Sequence, residues 1–111
     1  MDKQAKKILL DIARKSIVAA ITGEIKPPFF CDHPDLLGKQ GVFVTLKTHE
    51  HLRGCIGRFV SDMPLYQMVS ELAISSATED PRFEFNRIKP QELNQLKIEI
   101  SVLSPHMPIK N

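Results

Sequence analysis

The chain has 111 residues, of which 42% are hydrophobic and 25% are charged. This length and composition are typical of one soluble globular domain covering residues 1–111, and they exclude a disordered chain. Fifteen basic and thirteen acidic residues give a net charge of +2, which disfavours a dedicated nucleic-acid-binding protein. No apolar run reaches the roughly 20 residues that span a bilayer, and the first residues lack a signal-peptide pattern. We therefore expect a cytoplasmic protein with no nucleic-acid or membrane partner.

The first predicted element is an amphipathic helix over residues 2–22. Apolar residues recur there every three or four positions, and Gly23 follows as a stop signal. Prolines and a glycine in residues 24–40 predict a long loop, from which Phe29 and Phe30 are expected to return to the core.

Alternating apolar residues predict three strands, at residues 41–47, 52–60 and 96–103, the last ended by Pro105 and Pro108. The first two strands form a hairpin around a short polar turn.

A second helix is predicted to begin at Ser61 or Asp62, with Pro64 in its first turn, and to break before Pro81. A short helical turn is predicted at residues 90–95. Alternation in the strands favours antiparallel pairing. The predicted fold class is therefore α+β, with an antiparallel sheet of the hairpin and at least one further strand packed with two main helices.

The segment that carries the strongest chemical signal is Leu-Arg-Gly-Cys-Ile-Gly, residues 52–57. In a regular strand Arg53 and Cys55 share one face, with Cα atoms about 6.5 Å apart. The guanidinium is then expected to favour the thiolate form of Cys55. Gly54 and Gly57 would let a ligand approach backbone N–H groups, which can bind an anion. The alternative is structural: a buried cysteine behaves as a small hydrophobe, and glycines in strands mark bulges.

A second candidate pair is Asp80 and Arg82, a carboxylate and a guanidinium that could bind a ligand or position Cys55. In the structural alternative these residues form a turn that Pro81 stiffens, while Phe83 and Phe85 anchor it in the core.

Metal binding is disfavoured by the spacing of the available ligands. Cys31 with His33 and His49 with His51 offer suitable atoms, but structural zinc sites use longer spacings. No metal site is predicted, no cofactor can be named, and both cysteines are expected to be reduced. Glu92 and Glu99 are expected on solvent-facing sides rather than as an acid/base pair.

Four segments resemble, in the same order, the AMMECR domain family: Gly41–Lys47, the Leu52–Gly57 motif, Asp80–Phe83 and Leu96–Pro105. The resemblance is nearest to prokaryotic members, which occur beside Memo-like and radical-SAM proteins. It implies an intracellular α+β protein whose biochemical activity is not established, with a Memo-like or radical-SAM protein as partner. It also implies a functional surface, which carries over to Leu52, Arg53, Gly54, Cys55, Ile56 and Gly57, with Asp80 and Arg82 added.

The sequence departs from the family at its C-terminal side. Family members continue with further strands and a Gly-Thr-Phe-Leu-Pro type segment that this sequence lacks. We therefore expect an incomplete AMMECR-type domain with an open strand edge, which invites pairing with another chain such as a second copy.

Two function classes follow from these residues. In the first, the protein is a small-molecule or anion-binding enzyme, or an enzyme component. Cys55 is then the nucleophile or ligand anchor, and Arg53 holds the anion and activates the thiol. In the second, it is a non-catalytic protein-binding or scaffold module in which Cys55 only packs.

Overall fold

The computed structural model describes residues 1–103 and has an α+β architecture. Its three strands form one antiparallel sheet in the order β2-β1-β3, and both main helices pack against one face. The elements are α1 (Lys3–Thr22), β1 (Val42–Thr48), β2 (His51–Arg58), α2 (Leu65–Thr78) and β3 (Leu96–Val102), with 3₁₀ turns at Pro34–Leu36, Pro81–Phe83 and Pro90–Gln95. The predicted fold class is confirmed, and Pro105 and Pro108 lie outside the described residues.

Helix α1 has a capping contact at each end, of which the sequence predicts the one at Gly23. The Asp2 carboxylate accepts a hydrogen bond from the Ala5 N–H at 2.7 Å, which satisfies one donor of the first turn. Gly23 ends the helix with φ of 78°, and its N–H donates to the Ala19 carbonyl. Among the described residues no helix combines the length and the apolar content needed to cross a membrane.

Strand β1 lies at the centre of the sheet and separates two different surfaces. Val42, Val44 and Leu46 are fully buried against the helices. Phe43, Thr45 and Lys47 alternate with them and are half-buried on the opposite side, which we call the open face of the sheet. The period-two pattern of the sequence therefore predicts correctly which residues of β1 enter the core.

The β1–β2 hairpin contains two local irregularities. At the turn, His49 and Glu50 both have positive φ, 49° and 67°. In the ladder, Leu46 pairs with Gly54 but Lys47 pairs with Leu52. Arg53 therefore has no partner on β1, and β2 bulges at this residue.

Three local expectations are wrong. Helix α2 begins at Leu65 with Pro64 as its N-cap residue, because the Ser61 hydroxyl bonds to Met63 instead of capping the helix. Phe30 and Phe85 are 93% and 97% exposed and do not enter the core. The turn before Phe85 is held instead by hydrogen bonds to the Asp80 side chain, described below.

Candidate functional site

The bulge in β2 places Arg53 in a buried network away from Cys55. Arg53 is 7% exposed. Its Nη1 donates to Thr48 Oγ1 at 3.0 Å and to Glu92 Oε1 at 2.7 Å, and Thr48 lies on the helix side of β1. The prediction that Arg53 and Cys55 share one face is therefore wrong, because the extra residue shifts the alternation that a regular strand would have.

Glu92 is the charged partner of Arg53, although the sequence places it among solvent-facing residues. Its Oε2 accepts from Arg53 Nη2 at 3.3 Å and from the Lys89 N–H at 2.7 Å. The hydrogen bond from Arg53 is the main reason that the pKa of Glu92 lies below its usual range. This ion pair ties the bulge of β2 to the 3₁₀ turn before β3, so Arg53 contributes to the fold at this point.

The two glycines of the motif make room for protein atoms and not for a ligand. A Cβ at Gly54 would overlap the backbone carbonyl of Ser76 in α2, and one at Gly57 would overlap the Phe43 ring. Gly54 therefore lets α2 lie directly on β2, and Gly57 lets Phe43 lie flat across the open face. The expectation that these glycines expose the backbone to an anion is wrong for this reason.

Ile56 and Leu52 occupy different environments within the same motif. Ile56 packs against the core, and its N–H donates to Ser76 Oγ at 3.1 Å. The Ser76 hydroxyl donates in turn to the Val44 carbonyl at 3.0 Å, so α2 is linked to both strands of the hairpin. Leu52 pairs with Lys47 and is 36% exposed.

Cys55 lies on the open face, half-buried, with its Sγ 3.2 Å from Thr45 Oγ1. Its backbone N–H and carbonyl groups point to the edge of β2 that faces away from β1, where both are hydrogen-bonded. The Cys55 N–H donates to Asp80 Oδ2 at 3.0 Å, and its carbonyl accepts from Arg82 Nη2 at 3.2 Å. The structure thus brings together Cys55, Asp80 and Arg82, three residues that the sequence analysis selects from separate segments.

Asp80 and Arg82 form a fixed ion pair at the edge of this surface. Asp80 is 2% exposed, whereas the Arg82 side chain is 57% exposed. Arg82 donates to the carboxylate from its backbone N–H, its Nε and its Nη2, the last at 2.7 Å. These hydrogen bonds hold the pKa of Asp80 well below its usual range, and the bond from the Arg82 side chain contributes most. The guanidinium that borders Cys55 is therefore that of Arg82.

The four metal-ligand candidates do not form a common cluster in the described part of the chain. His49 Nε2 lies 3.0 Å from Gln95 Oε1. His33 instead approaches Asp2 and Asp35. Both of its ring nitrogens are engaged, Nδ1 by the Asp35 N–H and Nε2 by Asp2 Oδ2, each at 3.2 Å. Asp2 is also the N-cap residue of α1, and His33 is that of the first 3₁₀ turn.

Comparisons with known proteins agree with the resemblance seen in the motifs. The model of the family described as AMMECR1 matches residues 10–111. A protein of Methanothermobacter thermautotrophicus is 41% identical over 105 residues, which cover 94% of this chain and 54% of that protein. A Methanopyrus kandleri protein is 45% identical, with 89% of this chain and 48% of that one covered.

The fold is also similar to a solved structure. The crystal structure of the uncharacterized protein PH0010 from Pyrococcus horikoshii superposes with a TM-score of 0.75 at 40% sequence identity. The match covers 93% of this chain and 53% of the other, so the chain spans about half the length of the relatives it matches. The family model and these relatives together show that the chain belongs to the AMMECR1 family.

Proposed function

We propose that this domain acts through Cys55 as the reactive or ligand-anchoring thiol of a small-molecule or anion-binding enzyme, or of an enzyme component. The observation that carries the proposal is the direct link between Cys55 and Arg82, whose Nη2 donates to the Cys55 carbonyl at 3.2 Å. In this proposal Arg82, and not Arg53, holds an anion beside Cys55.

The surroundings of Cys55 support this role in two ways. The exposed part of Arg82 supplies a positive charge that can bind an anionic group next to Cys55. The Thr45 hydroxyl lies 3.2 Å from Sγ, within hydrogen-bonding distance of the thiol. Asp80 fixes the position of Arg82, while more than half of the Arg82 side chain stays accessible to an anion.

Alkylation rates at neutral pH test the proposal, with mass spectrometry to separate the two cysteines. Cys31 is also free and half-buried, so it is an internal control. We expect iodoacetamide to modify Cys55 several-fold faster than Cys31, and Arg82→Gln to remove most of that difference. Arg58→Gln, which changes an exposed arginine of the same strand, is expected to leave the difference intact.

Two results would contradict the thiol proposal. One is a Cys55 that reacts only when the chain unfolds, and the other is a rate that Arg82→Gln does not change. The first result would leave Cys55 as a packing residue, and the second would remove Arg82 from the site.

The second candidate function, a protein-binding or scaffold module, is supported by three exposed apolar side chains. Phe59, Val60 and Phe85 are 72%, 80% and 97% exposed. A Memo-like or radical-SAM protein is the partner to test, on the basis of the family resemblance. Calorimetric titration with such a protein should show binding that Phe85→Ser weakens and Cys55→Ser leaves unchanged; no heat of binding would oppose this function.

A further inference from the structure

The backbone groups of β3 are directed alternately to β1 and to the outer edge of the sheet. The Leu103 N–H donates to the Gly41 carbonyl at 2.9 Å, so odd-numbered residues of this strand bond toward β1. The even-numbered residues Ile98, Ile100 and Val102 therefore direct their N–H and carbonyl groups outward. Within residues 1–103 no strand pairs with this edge.

Leu96 has the same parity, but its backbone groups are already hydrogen-bonded. Its carbonyl accepts from Arg14 Nη2 at 2.6 Å, and its N–H donates to the Leu93 carbonyl. Within residues 1–103, the edge thus has three alternate residues whose outward N–H and carbonyl groups are not paired with another strand.

An apolar groove adjoins this edge on the helix side of the sheet. It has a volume of about 520 Å³, and its lining includes Leu9, Leu10, Ile98, Ile100 and Val102. Leu10 is 42% exposed. A strand added to β3 would therefore satisfy backbone groups and cover apolar side chains at the same time.

We propose that a second copy of this chain occupies this edge, with the two β3 strands antiparallel about a twofold axis at Ile100. In this register Ile100 faces Ile100 of the second copy, and Ile98 faces Val102. All three outward-directed residues of each strand then pair with each other, and a six-stranded sheet forms. Their branched apolar side chains meet on the groove side, a favourable cross-strand combination.

Charge and hydrogen bonding disfavour the neighbouring register that is shifted toward Leu96. Sliding the second strand so that Ile98 faces Ile100 would place Glu99 opposite Glu99, and like charges directly opposite are destabilising. It would also pair Val102 with Leu96, whose backbone groups are already bonded. In the proposed register Glu99 faces Ser101 across the open face, which brings no like charges together.

The oligomeric state is the first test. Analytical ultracentrifugation should give twice the 12.6 kDa chain mass at high concentration, with dissociation on dilution. Ile100→Lys places two charges on the twofold axis and should give a monomer with an unchanged circular dichroism spectrum. A wild-type chain that stays monomeric at every concentration would overturn the proposal.

Disulfide trapping tests the register without disturbing the core. Glu99→Cys and Ser101→Cys change exposed residues and are made in a chain that also carries Cys31→Ser and Cys55→Ser. Across the proposed interface these two positions form a non-hydrogen-bonded pair, about 4.5 Å between Cα atoms, which suits a disulfide. Oxidising a mixture of the two chains should give a covalent dimer.

The matched control replaces Ser101→Cys with Lys97→Cys on the same strand and face. Positions 99 and 97 are not opposite each other in the proposed register, so this mixture should yield little covalent dimer. Preferential trapping of the 97–99 mixture, or of Glu99→Cys with itself, would show a different register and refute the proposed axis.

Discussion

Asp80 is a buried carboxylate that accepts four hydrogen bonds, one from Cys55 and three from Arg82. Because these bonds lower its pKa in the folded chain, the ionised carboxylate stabilises the fold at neutral pH. This stabilisation is present above the unfolded pKa, about 3.9, and is lost as the pH falls through the folded value.

Asp80→Asn is therefore expected to lower the free energy of unfolding by about 1–3 kcal/mol at neutral pH. The difference in unfolding free energy between Asp80→Asn and wild type should narrow below about pH 4, because the ionised Asp80 carboxylate then stabilises wild type less. Urea denaturation of both chains at neutral and acidic pH measures this. A difference that stays constant over this range would contradict the role of the Asp80 charge.

At the scale of elements, the contact between α2 and β2 depends on Gly54. The Ser76 carbonyl of α2 occupies the space that a Cβ at Gly54 would need, and backbone on both sides leaves little freedom to adjust. The helix and the strand that carries Cys55 are thus held at a fixed short separation.

Gly54→Ala should cost about 1–3 kcal/mol or more of unfolding free energy, because it forces α2 away from the sheet. Gly38→Ala is the matched control, since its Cβ would meet only the flexible Gln40 side chain, at 3.5 Å. We expect Gly38→Ala to be neutral or to stabilise the fold by a few tenths of a kcal/mol or more. Thermal and chemical denaturation would compare the two variants. Equal stabilities of Gly54→Ala and Gly38→Ala would refute the close contact between Gly54 and Ser76.

How far the sequence predicts these elements depends on whether the information is local. The alternation of β1, the Gly23 stop signal of α1 and the turn at Pro90–Gln95 are local, and all are confirmed. The position of Arg53 is not predicted, since the glycines indicate a bulge in β2 as one alternative but do not place it at Arg53. The partnership of Glu92 with Arg53 likewise joins residues 39 positions apart, which pattern analysis of separate segments does not detect.

For the candidate site, the sequence identifies the residues better than their arrangement. Cys55, Asp80 and Arg82 are all selected from chemistry and motif, and the structure places them together. Their geometry follows from the pairing of β2 with a turn 25 residues later. That contact is set by tertiary packing and not by local residue preference.

In the molecule as a whole, the two edges of the sheet differ. The edge of β2 is partly covered, because Asp80 accepts the outward N–H of Cys55. The edge of β3 carries no neighbouring strand within residues 1–103. The central strand β1 is paired on both sides, so its amides should open only when the whole domain unfolds.

Hydrogen exchange measured by NMR checks this asymmetry. We expect the amides of β1 to exchange slowest, and the Cys55 amide to be protected although it lies on an edge strand. Asp80→Asn should make the Cys55 amide exchange faster, while the amides of β1 still exchange more slowly than the Cys55 amide. A Cys55 amide that exchanges as fast as those of residues 24–30 would show that the Asp80 contact is not maintained in solution.

The positive φ values of His49 and Glu50 bear on the order in which the domain assembles. Non-glycine residues in this region cost roughly 1–2 kcal/mol each, so the hairpin turn is slow to nucleate by itself and needs support from packing. The third strand follows only after the whole of α2 has been synthesised. The edge of β1 that pairs with β3 therefore stays unpaired until residues 96–102 have been synthesised. The three-stranded sheet of residues 1–103 is thus complete only when β3 docks, and the nascent chain is exposed to misassociation through the edge of β1 until then.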